Sequence, residues 1–289
     1  MAPPKKTSTP KPTPVLKHFG GLWTLVKHPS PEKEWSLDEK FKQIKKAGFD
    51  AVGGGASPEM LPLCQKYGLG YVCFIDGASK TYKERLQAAK KTEPARVNVQ
   101  TCDHDTLPKD ALKVWLKIEA EAEKVGLNVD LEVHRDTCTE TPEKTYEIAD
   151  LYKKATGKKI RFCWDFSHIA VVKHLNPPYA KRLLVRPDLV QNARQFHFRP
   201  FNGHHCQIPV TDGKGHEVPE IKPYLEFLEA VIACWFEGAR GGEVVYACPE
   251  LGCYDYCLTS FPNVWKDAVL LREKTEAIWQ AAAARWSKR

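Results

Sequence analysis

From Gly20 onward the chain repeats one pattern: a short run rich in Val, Ile and aromatic residues, then a longer stretch in which apolar residues recur every three or four positions. The first kind of run predicts a strand and the second an amphipathic helix. Strands are expected over residues 21–26, 50–55, 70–75, 95–101, 128–133, 160–165, 195–198 and 243–248. Helices are expected between them, for example in SLDEKFKQIKKAG, PKDALKVWLKIEAEAEKVG and TPEKTYEIADLYKKATG, with a last one over about residues 263–286. Many of these stretches end near a glycine, at Gly48, Gly68, Gly126, Gly157 and Gly238, which suits a left-handed C-terminal cap. Eight strands each followed by a helix, in about 270 residues, is the arithmetic of a single (β/α)₈ barrel of the α/β class. A doubly wound sheet, the rival, would bring a spaced glycine turn after its first strand, and the Gly53-Gly54-Gly55 run in the second lacks that spacing.

Strand parity then selects the lumen, because alternate residues of a barrel strand face inward and the others face the helices. Asn128, Asp130, Glu132 and His134 share one parity, and Val129, Leu131 and Val133 share the other. The apolar set must meet the helices, so the polar set looks inward. The same count turns Cys163 and Asp165 inward, then Gln195, His197 and Arg199, then Asn98, Gln100 and Cys102. In the eighth strand both parities are mostly apolar, and Glu250 falls on a face with Val244, Tyr246 and Cys248. Glu132, Asp165, His197 and Glu250 are thereby expected at the C-terminal mouth, where barrel enzymes keep their chemistry. The first three are one βα unit apart, and the longer last gap is assigned to the loop RPFNGHHCQIPVTDGKGHEVPE.

Three carboxylates and an imidazole facing one lumen need a partner, since like charges are costly to bury together. A divalent cation satisfies all four, and such a set suits Mn²⁺, Mg²⁺ or Co²⁺ in an open octahedral site better than a closed structural zinc. The alternative is a set of internal ion pairs to Arg161, Arg135 and Arg199, with Asp165 of DFSH serving only as a helix cap.

The bulk numbers bound this picture. With 289 residues, 43% of them hydrophobic, the chain can bury a large core. The opening MAPPKKTSTPKPTP has almost nothing to bury and reads as a disordered arm over residues 1–18, with the barrel over 19–289. A net charge of +7 raises nucleic acid as a partner. Lys5, Lys6, Lys11 and Lys17 sit in or beside the arm, however, and no basic stripe interleaves with aromatics, so no nucleic-acid partner is expected. No apolar run is long enough to span a bilayer and the N-terminus lacks a secretory signal, so the expectation is a soluble cytoplasmic protein with no membrane partner. Ten cysteines without regular spacing read as reduced core residues, and Cys253 with Cys257 is a weak zinc signal that lacks a second pair.

The ordered set LEVH with Glu132, DFSH with Asp165 and His168, FHFRP with His197 and CPELG with Glu250 resembles the xylose isomerase-like (β/α)₈ superfamily. That superfamily includes sugar epimerases, hydroxypyruvate isomerase, inosose dehydratase and the endonuclease IV group. The loop QIPVTDGKG is also similar to a turn these enzymes often carry. The resemblance implies that Glu132, Asp165, His197 and Glu250 hold one divalent ion, Mn²⁺ first, with Mg²⁺, Co²⁺, Fe²⁺ or Zn²⁺ as alternatives. It implies that His168 hydrogen-bonds the substrate, and that Glu132 and Glu250 exchange protons with the carbon beside a sugar ketone through an enediolate. The expected activity is therefore that of a metal-dependent sugar isomerase or epimerase in carbohydrate metabolism, acting on a small sugar or keto-sugar, with homo-oligomers common among members. A keto-sugar or cyclitol lyase or dehydratase would share the first step, and a barrel that binds a sugar or a partner protein without catalysis is the third alternative.

Two departures bear on the substrate. Cys138, with Glu140 nearby, stands where the epimerases usually have a second Glu, and Pro200 stands where they have an Asp. Arg199 and His205, beside His204, bring charge to the mouth that suits a carboxylate or phosphate, and His134 and His104 complete the candidate substrate contacts. Three-metal nuclease chemistry is not expected, because VGGGAS, FIDGAS and TDGKGH do not supply its histidine set.

Overall fold

In the computed structural model, which describes residues 12–76, 80–253, 256, 257, 261 and 263–288, the short apolar runs become eight parallel strands. They are β1 (Val15–Gly21), β2 (Ala51–Gly55), β3 (Gly70–Ile75), β4 (Arg96–Val99), β5 (Val129–Val133), β6 (Phe162–Asp165), β7 (Gln195–His197) and β8 (Val244–Cys248). They pair in sequence order, and β8 returns to β1, so the sheet closes into the expected barrel. The helices are α1 (Leu37–Lys46), α2 (Met60–Tyr67), α3 (Tyr82–Lys90), α4 (Pro108–Val125), α5 (Pro142–Thr156), α6 (Phe166–Val172), α7 (Ala180–Leu183), α8 (Pro187–Val190), α9 (Lys222–Glu237) and α10 (Val264–Trp286). None of the described helices is long and apolar enough to cross a membrane.

The first strand departs from expectation. Residues 22–25 form a 3-10 turn, and the strand lies earlier, where Val15 to His18 pair with β8 and Phe19 to Gly21 with β2. Residues 15–18, assigned to the arm, therefore belong to the barrel, while residues 1–11 of that arm lie outside the described residues. The polar look of this segment is explained by His18, which is buried and meets Glu276 of α10 at 3.0 Å.

Gly68, Gly126 and Gly157 cap their helices in the left-handed conformation, as expected. Gly238 does not, because its φ is −101°. Its small size serves close approach instead, since a Cβ there would stand 2.6 Å from Gln191 Cβ.

Two separate apolar clusters flank the sheet. The larger one lies between strands and helices and includes Trp115, Ile118, Phe162, Trp164, Phe196 and Trp235. The smaller one, Phe19, Ala51, Val72 and Cys248 with Phe74 and Tyr246 against it, fills the lumen beside β8, β1, β2 and β3. Here the glycine run has its role: a Cβ on Gly53 would stand 2.7 Å from Phe19 and 3.0 Å from Phe74. The other half of the lumen is polar. At its base Arg96 binds Asp130 through two nitrogens.

The long loop after β7 is tied down at both sides of the mouth. Asp267 of α10 accepts the Val210 N–H and the Thr211 hydroxyl, each at 2.7 Å. Gln207 exchanges two hydrogen bonds with the Gly252 backbone, which fixes the segment just after Glu250.

Candidate active site

Glu132, Asp165 and His197 stand at or next to the C-terminal ends of β5, β6 and β7, and Glu250 follows β8 by two residues. Parallel closure brings these ends to one rim, with Asp165 directly opposite His197 in the β6–β7 ladder. All four side chains are buried.

His197 Nδ1 is 2.9 Å from Glu132 Oε1 and 3.0 Å from Glu250 Oε2. Neither contact has hydrogen-bond geometry, and both ring nitrogens are buried without a hydrogen-bond partner. One donor atom from each of the three residues lies within 4.8 Å of the others. Ligands at right angles, ~2.1 Å from an octahedral divalent ion, stand about 3.0 Å apart, so the His197 contacts match edges of such a shell. Glu132, His197 and Glu250 therefore fit a divalent ion as a three-donor set.

Asp165 is not part of that set. Its Oδ1 accepts the Ser167 N–H at 2.9 Å, which caps α6, and its Oδ2 accepts from Arg199 Nε at 3.2 Å. His168 Nε2 also lies 3.2 Å from Oδ2. Arg199 Nη2 bridges Asp165 Oδ2 at 3.1 Å and Glu250 Oε2 at 2.8 Å. Of the four residues expected to hold the ion, the metal-capable group among the described residues brings together three, Glu132, His197 and Glu250, while the remaining carboxylate, Asp165, is held by a buried guanidinium. The cause is charge, because a buried Arg needs anionic partners. Arg135 and Arg161, the other arginines weighed for ion pairing, form no ion pair among the described residues. Three carboxylates against Arg199 leave two negative charges, which a divalent ion balances.

The electrostatics follow the same contacts. Burial alone would raise the three carboxyl groups, but His197 beside Glu132, Arg199 with His168 beside Asp165, and His197 with Arg199 beside Glu250 hold each below its ordinary value. Burial pushes the His197 imidazole down, and Cys163, Glu250 and Glu132 outweigh it and hold the ring well above its usual range. His168 stays low because its burial outweighs Asp165.

A cavity of about 530 Å³ opens above this centre, lined in part by Trp23, Gln100, His134, Arg199, Glu250 and Tyr256. His134 lies against His168 with ring centres 4.1 Å apart and planes tilted by 55°, and His168 itself is buried. His104 and His205 are not brought into the cavity: His104 is exposed and paired with Asp136 at 2.6 Å, and His205 is exposed beside Asn202. Cys138 is buried, and Glu140 accepts the Asp136 N–H, so neither stands in for the missing Glu. Cys253 and Cys257 donate to the Trp23 and Gly252 carbonyls, with residues 254 and 255 between them outside the described residues.

Three contributors lacked an assigned role in the sequence. Asn98 and Gln100 donate to Glu132 Oε2 at 2.6 and 2.8 Å, and parity had already turned both inward. Asp76, just past β3, lines the cavity, and burial with the nearby Glu132 charge raises its carboxyl. Its only signal was its place at a strand end, in FIDGAS, whose residues 77–79 lie outside the described residues.

Solved structures share this architecture. A D-tagatose 3-epimerase-like protein superposes with a TM-score of 0.57 at 18% identity, covering 92% of this chain and 99% of its own. What this chain shares with such structures is the (β/α)₈ barrel fold. A probable 3-DHS dehydratase from Bacillus anthracis gives 0.57 at 14% identity over 89% and 98% of the two chains. The IOLI protein, solved with a bound zinc atom, gives 0.52 at 13% identity over 93% and 99%. No protein-family model matches the sequence, and no curated sequence does.

Proposed function

We propose that this barrel is a divalent-metal-dependent isomerase or epimerase that moves a proton next to the ketone of a small sugar. The observation that carries the reading is the convergence of Glu132 and Glu250 on one unbonded His197 nitrogen, at 2.9 and 3.0 Å inside the lumen. Glu132, His197 and Glu250 would hold the ion, which when bound supplies polarisation of a ketone oxygen. The similarity to epimerase and dehydratase structures supports the reading at the level of fold.

The two glutamates have unequal access. Glu132 is buried and its Oε2 is held by Asn98 and Gln100, whereas Glu250 lines the cavity with only Oε2 engaged among the described residues. Glu250 Oε1 is therefore the proposed proton acceptor at the substrate carbon, and Glu132 the proposed partner that returns a proton from the lumen side. Arg199 keeps Glu250 ionised and oriented, and His134 borders the substrate.

The test is metal content by mass spectrometry, followed by solvent-deuterium incorporation into a panel of keto-sugars. Wild type should hold about one ion per chain, His197→Gln should lose it, and Asp165→Asn should keep it with affinity reduced by no more than the ~10–100-fold typical of an outer partner. Glu250→Gln should stop deuterium incorporation. Loss of water or cleavage in the same assay would assign elimination instead of isomerisation, and a metal-free wild type that exchanges no proton would refute the reading.

A further inference from the structure

We propose that the cavity takes a substrate carrying an anionic group, a carboxylate or a phosphoryl ester, and that Arg135 is the side chain that recognises it. This rests on reading the barrel mouth as a site for a small keto substrate, and it adds the chemical class.

Three fixed cations line the cavity, Lys40, Arg135 and Arg199. Two of them are already matched within the protein. Lys40 is ion-paired with Glu34, and Arg199 is bound by Asp165 and Glu250. Arg135 has no carboxylate partner among the described residues. Its guanidinium lies 4.8 Å from the ring centre of Tyr256, and Arg199 lies 4.6 Å from the same ring. The ring thus steadies Arg135 by a cation–π contact, and its N–H groups have no hydrogen-bond partner among the described residues.

Its position is as informative as its charge. Arg135 follows β5 by two residues, so it rises from the strand that carries Glu132, next to the cavity-lining His134. Trp23 meets Tyr256 edge to face at 5.1 Å, and the two form an aromatic wall of the cavity that Arg135 and the glycine end of β2 also line. A Cβ on Gly55 would meet nothing within 4 Å, so that side of the cavity is open space. A carbon skeleton can rest against the wall with its ketone toward Glu250 while a terminal anion reaches Arg135. The planar fork of an arginine matches both a carboxylate and a phosphoryl group. Arg135 is exposed, so a neutral sugar would leave its charge to solvent, whereas an anion would engage its N–H groups directly.

The probes are three ketoses that differ only at C6: D-fructose, D-fructuronate and D-fructose 6-phosphate. Binding to the full-length protein loaded with Mn²⁺ is measured by calorimetry for wild type, Arg135→Gln and Arg135→Lys. Wild type should bind one of the two anions roughly thirty-fold more tightly than fructose, the size of a charged hydrogen-bonded contact. Which anion wins separates carboxylate from phosphoryl recognition. Arg135→Gln should bring that ligand to the fructose level with fructose itself unchanged, and Arg135→Lys should restore part of the difference. The inference is overturned if fructose binds as tightly as both anions, if Arg135→Gln weakens all ligands alike as a packing residue would, or if none of the three binds. Because binding is read without turnover, an inert protein that still discriminates the anion would sink the proton-transfer reading and leave this one standing.

Discussion

On the side of β8, β1, β2 and β3 the lumen is packed with Phe19, Val72, Phe74 and Tyr246, whereas on the side of β4 to β7 it holds Arg96, Asp130, Glu132, Asp165 and His197. His197 stands where the halves meet, 5.9 Å from the Phe19 ring and 5.6 Å from Phe74 on one flank, with two carboxylates on the other. The aromatic flank offers its ring nitrogens no hydrogen bond and excludes water, which strengthens every charge interaction on the polar flank. The apolar half thus supplies the environment and the polar half the donors. A site assembled from carboxylates alone would lack the first, and a uniformly apolar barrel the second.

The sharpest way to break this division is to remove the cation that balances the polar half. Arg199→Met leaves Asp165 and Glu250 buried with one partner fewer each, and should cost about 3–5 kcal/mol in urea unfolding. Adding Asp165→Asn should recover part of that loss, since it removes one of the stranded charges. A loss under about 1 kcal/mol would mean that the polar half is not the ion-paired network described above.

The matching change in the apolar half acts by volume rather than charge. Gly53→Ala pushes a methyl group to 2.7 Å from Phe19 and 3.0 Å from Phe74, and the Phe19 ring is fully buried with no open direction to yield. The expected cost is about 1–3 kcal/mol, with the pH dependence of stability unaltered. Thermal unfolding of the two variants across pH separates the halves: the Arg199 variant should change the profile, and the Gly53 variant should lower it uniformly.

The pH profile itself is a third test. His197 is held well above its ordinary value, so its contribution is fully present below the unfolded value of about 6.5 and is lost as pH rises through the native value. Glu132 and Glu250 have the opposite sign, since their lowered values contribute above the ordinary carboxylate range and lose that contribution as pH falls through the native values. In the presence of a chelator the melting temperature should therefore decline above about pH 6.5 and again in acid. Saturating Mn²⁺ should abolish the alkaline decline, because the ion replaces the proton on His197. An alkaline limb that is the same with and without Mn²⁺ would separate His197 from metal binding.

Much of this was legible in the residues. Seven strands fall within two residues of expectation at each end, because each is an apolar run between helical stretches, and parity placed Glu132, Asp165, His197 and Arg199 inward. β1 was hidden because His18 has its partner Glu276 at the far end of the chain, 258 residues away. Gly238 looks like the other helix-ending glycines, and only the approach of Gln191 reveals its different task. Parity also could not say how the inward groups would pair. That Arg199 crosses to both Asp165 and Glu250 depends on side-chain conformation across three strands, which no spacing encodes.

The smallest predicted effects test where parity stops being informative. Beyond a strand end the backbone turns, and alternation no longer fixes direction: Cys102 takes a φ of +59°, and His104 two residues later points to the exposed rim, where Asp136 holds it. His205 likewise sits on an exposed loop against Asn202. His104→Ala and His205→Ala should each change stability by no more than about 0.5 kcal/mol, the range of ordinary surface substitutions. Mn²⁺ stoichiometry should stay the same, and so should ketose affinity. A ten-fold loss of ligand affinity in either variant would mean that the rim folds over the cavity when substrate arrives, and that the polar half of the site extends past the strands that build it.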